Sequence, residues 1–173
     1  MKERIRLLCR TLRQGSSAVT AIVTGCRGAT PRSPGALLVL TAETALGTVG
    51  GGQAEHDIIG PAMEMLRGGA PVQQGWHQCL SAQELRHMGQ EFGGEEEILL
   101  LRWEPGDLPL AEAAWTAAGQ NGDRSLRIEY DENGWRGALL PVAETAAAEG
   151  SFTVKLQEEC LVNKTNVVMQ LAG

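Results

Sequence analysis

Aromatic residues are scarce in this chain. Two Phe, four Trp and one Tyr make up 4% of its 173 residues. Its core must therefore rest on Leu, Val, Ile, Ala and Met. Long apolar runs are absent too: no stretch approaches the roughly 20 residues that a membrane span requires. Clustered cations are missing, and the formal charge is -6. Nucleic acid is not an expected partner, because neutralising phosphates takes grouped Lys and Arg. Cysteine is sparse and scattered, at Cys9, Cys26, Cys79 and Cys160. Without a CxxC or a Cys/His pair at zinc spacing, neither a disulfide framework nor a zinc site is expected. The N-terminal MKERIRLLCRTLRQG is charged throughout and lacks the apolar core of a secretory signal. The thiols then read as cytosolic, and the expected location is the cytoplasm.

What is present is ordinary for a globular domain. Apolar residues form 43% and charged residues 21%, and the length suits one domain over 1–173. Ile5, Leu8, Cys9 and Leu12 fall at helical spacing within 3–13. AVTAIVTG (18–25) and ALLVLT (36–41) read as buried strands, with LGTV (46–49) as a third. A helix is expected over 54–67, with Pro61 forcing a kink or a late start. Strands follow at 71–80 and 95–103, a helix at 107–119, and a hairpin over 125–135 with an Asn-Gly turn. FTVKL and NVVMQL close the chain as strands, while SAQELRHMG has no clear assignment. The sum is an α/β domain: one mixed β-sheet with flanking helices.

Two loops carry the chemical signal. In GTVGGGQAEHD (47–57), Gly50, Gly51 and Gly52 stand between a strand and a helix. Successive glycine amides at a helix start can converge on one oxyanion, and the helix dipole adds positive charge. The spacing fits neither GxGxxG nor a P-loop, and a tight strand-to-helix turn would explain the glycines equally well. The second loop, CRGATPRSPG (26–35), carries Arg27, Thr30 and Arg32, braced by Pro31 and Pro34. A guanidinium offers a planar fork that matches phosphate. One short hairpin separates the two loops, so a joint anion site is expected.

ATPRSPGALLVLT followed by GTVGGGQAE resembles the XdhC/CoxI family, the accessory factors of xanthine dehydrogenase and related molybdenum hydroxylases. The matching positions are Thr30, Pro31, Arg32, Pro34, Gly35 and Ala36, then Gly47 to Gly52 and Glu55. The strand ending in Glu104-Pro105 also falls in order. The resemblance implies a chaperone that binds the molybdenum cofactor while a sulfido ligand is installed. It implies a molybdenum hydroxylase and a cysteine desulfurase as partners, and a homodimer, for which the apolar run NVVMQL offers an edge. The expected cofactor-binding residues are Thr30, Arg32, Gly50, Gly51, Gly52, Glu55 and Arg27.

Two departures stand out. Phe92-Gly93-Gly94 replaces the family's Cys-Gly-Gly, and Phe can neither ligate molybdenum nor carry sulfur. The family's usual C-terminal Rossmann-like domain would begin near the end of this sequence. Two alternatives remain: a nucleotide-using enzyme whose glycine loop holds a phosphate, or a ligand-free regulatory or interaction subunit. No Ser/His/Asp or Cys/His constellation suggests itself, which favours binding over catalysis. Glu55, His56 and Asp57 are consecutive, so they point apart on a helix and no metal site is expected there. Cys26 is the thiol of interest, because it shares a loop with the arginines. Glu95, Glu96 and Glu97 read as a solvated strand end.

Overall fold

The computed structural model describes residues 1–80, 82–87, 93–119, 124–141, 151–155 and 168–170. The strands divide between two sheets, whereas the sequence suggested one mixed sheet. β1 (Ala18–Arg27), β2 (Leu37–Leu40), β3 (Thr44–Gly47), β4 (Val72–Gln78), β5 (Glu95–Trp103) and β9 (Val168–Gln170) form a six-stranded sheet in the order β4-β5-β1-β2-β3-β9. β6 (Arg124–Asp131), β7 (Gly134–Pro141) and β8 (Ser151–Lys155) form a three-stranded sheet around β6. The ladders between these strands are antiparallel. The α/β class stands.

The large sheet is covered on both faces, which explains its nearly unbroken apolar strands. Side chains alternate faces along a strand. Val19, Ala21 and Val23 of β1, Leu38 and Leu40 of β2, and Ile98 and Leu100 of β5 pack against Ala54, Ile58, Ala62 and Met65 of α2 (Gly52–Leu66). On the other face, Ile22, Leu37, Val39, Leu99, Leu101 and Trp103 meet α1 (Lys2–Arg13), α4 (Leu108–Ala118) and the small sheet. Trp103 couples the two sheets. Its indole N–H donates to Thr20 Oγ1 at 3.0 Å, and its ring lies 4.4 Å from that of Trp135, centroid to centroid.

Several boundaries differ from expectation for local reasons. α2 begins at Gly52 and runs continuously through Pro61, so the proline does not delay its start. SAQELRHMG contains a short helix, α3 (Ala82–His87). A 3₁₀ turn at Pro105–Asp107 precedes α4, closed by reciprocal bonds between Glu104 and Asp107. The hairpin turns at Glu132-Asn133, one residue earlier than an Asn-Gly turn, because Asp131 Oδ1 accepts the amides of both Asn133 and Gly134. Part of the run NVVMQL is engaged within the chain, since Val168–Gln170 pairs with Thr44–Leu46.

Candidate anion site at the glycine turn

Five segments meet at one end of the large sheet: the end of β1, the Pro-braced loop after it, the glycine turn after β3, the end of β4 and the start of β5. Their focus is a residue that sequence reasoning assigned to solvent. Glu96 is fully buried. It sits opposite Cys26 on β1 and His77 on β4. Strand alternation explains the correction. Glu96 is in phase with Ile98 and Leu100, which face α2, whereas Glu95 and Glu97 point to the other side and are half-buried. The signal was available in the sequence, had the acidic triplet been read at period two.

Glu96 joins the two loops. The Arg32 amide donates to its Oε1 at 3.2 Å. A methyl group placed on Gly50 would lie 2.8 Å from Glu96 Oε2 and 2.8 Å from Pro31 Cγ. Only glycine allows this approach, and the φ of +133° at Gly50 requires it as well. No N–H or O–H among the described residues reaches Glu96 Oε2, and the carboxyl's side-chain partner is the weak donor thiol of Cys79 beside it. Burial holds the carboxyl above its ordinary range, against the opposing pull of the Arg32 amide, the Cys79 thiol and the Arg32 guanidinium.

The Pro-braced loop is fixed through its backbone. Thr30 Oγ1 and Cys26 Sγ both donate to the Arg32 carbonyl, at 2.9 and 3.3 Å. Beneath it lies Gly94, where a Cβ would come within 2.0 Å of the Ala29 carbonyl oxygen. With its amide and carbonyl engaged, Arg32 is held rigidly. Arg32 is half-buried, and its guanidinium makes no hydrogen bond or ion pair among the described residues.

The glycine turn holds an internal anion. Glu55 is buried, and its Oε1 accepts the Thr48 hydroxyl and the amides of Val49 and Gly51, the latter two at 3.1 and 2.9 Å. The Gly51 amide therefore serves Glu55. The start of α2 carries no side-chain cap bond, and its first-turn amides at Gly52, Gln53 and Ala54 lack intrahelical acceptors. A β carbon at Gly51 would meet nothing within 4 Å, so this side of the turn is open.

The structure thus brings together Thr30, Arg32, Gly50, Gly51, Gly52 and Glu55. It sets Arg27 apart. Arg27 follows Cys26 on the opposite face of β1, and its guanidinium stacks 3.8 Å from the ring of the partly exposed Trp76. Sequence reasoning missed Glu96 and also Cys79, a buried thiol beside it. Burial, then the nearby Glu96, pushes the Cys79 thiol up to about 12. Among the described residues no group of three or more His, Cys, Asp or Glu could hold a metal ion. Phe92 lies outside the described residues.

The loops that build this site fall largely within one recognisable segment. Residues 11–75 match the XdhC and CoxI family. The matching segment spans β1 through most of β4 and contains both loops, but Glu96 and Gly94 lie beyond it. The fold is similar to the crystal structure of a xanthine dehydrogenase from Bacillus halodurans, with a TM-score of 0.59 at 15% identity. That likeness covers 80% of this chain and 42% of the other, so the chain spans less than half the length of its structural relative. No curated protein matches the sequence.

Proposed function

We propose that this chain is an XdhC/CoxI-type accessory protein that holds the phosphate-bearing end of the molybdenum cofactor for a xanthine dehydrogenase-type hydroxylase. One observation carries the reading. Arg32 has its backbone fixed and its guanidinium without a hydrogen bond or ion pair among the described residues, on a loop that touches the glycine turn at the start of α2, which carries no side-chain cap bond. Such an arginine loses little freedom on meeting a phosphate, and the helix start adds amide donors.

The residues fit the phosphate end of the cofactor and not its metal. Arg32 and the amides of Gly52, Gln53 and Ala54 would hold the phosphate. Cys79 stays a protonated thiol at neutral pH and is not offered as a soft ligand. The cofactor's redox chemistry belongs to the hydroxylase that receives it. This chain's part is to bind, shelter and release. Family likeness supports the partnership with a molybdenum hydroxylase, and extends it to a cysteine desulfurase and a homodimer. No described helix is long and apolar enough to cross a membrane.

The test is purification from hosts with and without molybdenum-cofactor synthesis, followed by oxidation and pterin fluorescence. Pterin should copurify from the competent host only, and Arg32→Ala should lose most of it. Equal pterin on the parent and on Arg32→Ala overturns the site. Its absence from the parent overturns the function.

A further inference from the structure

Glu96 is difficult to explain as scaffold. A carboxyl with no exposed surface, met among the described residues only by one backbone amide and a weak thiol donor, is costly, and β5 could carry an apolar residue there in phase with Ile98. It lies against Gly50, accepts the amide of the arginine that would hold the ligand, and feels the charge of that same arginine. A carboxylate charge there would compete with an incoming oxyanion for the Arg32 guanidinium and would repel it. A neutral carboxyl would do neither, and would keep Oε1 as acceptor for the Arg32 amide.

We propose that Glu96 makes anion binding at the Arg32 site proton-coupled: a doubly charged oxyanion of the phosphate or sulfate class enters as Glu96 takes up one proton. No bond to the ligand changes, and the proton comes from solvent and stays on the Glu96 carboxyl. Resting as it does on the Arg32 site, this inference adds a specificity-determining residue to that reading. It also supplies a release mechanism, because loss of the proton restores the competing charge.

Other groups facing Glu96 bear on the same titration. They are Cys26 and Arg32 from β1 and its loop, and Glu55 from the start of α2. His77 and Cys79 flank it on the β4 side. Burial lowers the His77 pKa against the nearby Asp57, and His56 lies exposed beside Asp57 on α2. An imidazole near an incoming anion is a competing source of proton uptake in general. The measurement must therefore be made in a background that lacks both.

Sulfate is the probe, because its charge does not change near neutral pH. Titration calorimetry in buffers of different ionisation heat gives the protons taken up per sulfate bound. The full chain carrying His56→Gln and His77→Gln should take up a substantial fraction of one proton. Adding Glu96→Gln should abolish that uptake and bind sulfate at least as tightly at neutral pH. Unchanged uptake with Glu96→Gln, or no uptake by the parent, overturns the inference while leaving the anion site standing. Arg32→Ala separates the two readings: sulfate affinity equal to the parent's removes the site itself. Infrared difference spectroscopy gives a second readout that needs no Glu96 variant. Adding sulfate should raise the protonated-carboxyl C=O band of the double histidine variant, and an unchanged band counts against Glu96.

Discussion

The Arg32 amide donates to Glu96 Oε1 at 3.2 Å across 64 positions of sequence. One buried carboxyl thereby holds the loop that carries the candidate anion-binding arginine. The same carboxyl lies against the Cα of Gly50, so two loops that the sequence shows only as separate motifs share one internal support.

Arg32→Ala should leave the fold intact, because the loop is held by its backbone and by Thr30 and Cys26. An arginine–phosphate contact contributes about 1.5–3 kcal/mol net. Cofactor or sulfate affinity should fall about ten- to a hundredfold. Calorimetric affinity and thermal unfolding, measured together, check this, and unchanged affinity refutes it.

Glu55→Ala should behave oppositely. It leaves the Thr48 hydroxyl and the Val49 and Gly51 amides without their shared acceptor in a buried turn. A loss of about 2–4 kcal/mol is expected, equivalent to about 5–15 °C in melting temperature at this chain length. Thermal unfolding by circular dichroism is the check, and a shift under 2 °C would contradict the internal-anion arrangement.

The glycines of the turn should not be equivalent. Gly50→Ala forces a Cβ against Glu96 and Pro31, and Gly94→Ala forces one against the Ala29 carbonyl. Both should give poorly folded protein. Gly51→Ala meets only open space and carries just the backbone strain of φ +77° with ψ -165°, about 1–3 kcal/mol. Soluble yield and melting temperature of the three variants should follow that order.

Stability should depend on pH through Glu96. Its folded carboxyl titrates above the ordinary 4.5 because of burial. The folded chain then keeps a proton that the unfolded chain releases. The associated stability is complete below the ordinary value and declines as pH rises toward the folded value. Glu96→Gln should flatten this decline. Urea unfolding of both proteins from about pH 5 to pH 8 tests the sign, and a parent that gains stability from this group as pH rises would reverse the assignment.

Cys79 should resist thiol reagents in the folded state. Its thiol is buried and titrates near about 12, so almost no thiolate exists at neutral pH. Half-buried Cys26 should be labelled first. Peptide mapping after brief alkylation, with and without denaturant, distinguishes the two. Early native labelling of Cys79 would mean that the end of β4 opens readily.

Much of the fold was legible in the sequence. β1, β2 and β5 are buried on two faces, so they read as continuous apolar runs. The separation into two sheets was not legible, because strand composition does not say which strands pair. The hairpin turn moved by one residue because the Asp131 side chain, not the Asn-Gly pair, organises it. In the site, Arg32 and the glycines were visible as motifs, but the role of Glu55 toward Val49 and Gly51 was not. Glu96 was hidden by its neighbours: three glutamates in a row suggest water, although a strand sends the middle one inward.

β1 and β5 lie side by side at the heart of the large sheet, yet their paired residues are separated by more than sixty positions of chain. Closing a loop of that length costs entropy before any contact repays it. Glu96 arrives with β5, so the Arg32 loop has only its local bonds to Thr30 and Cys26 until that closure is complete. The segment that matches the family model ends before β5 and cannot assemble the site by itself. During synthesis, the arginine loop and the glycine turn leave the ribosome first and wait for the strand that will hold them. Ligand binding would therefore report on a finished sheet, and a chain stalled before residue 96 would carry both motifs without the carboxyl that joins them.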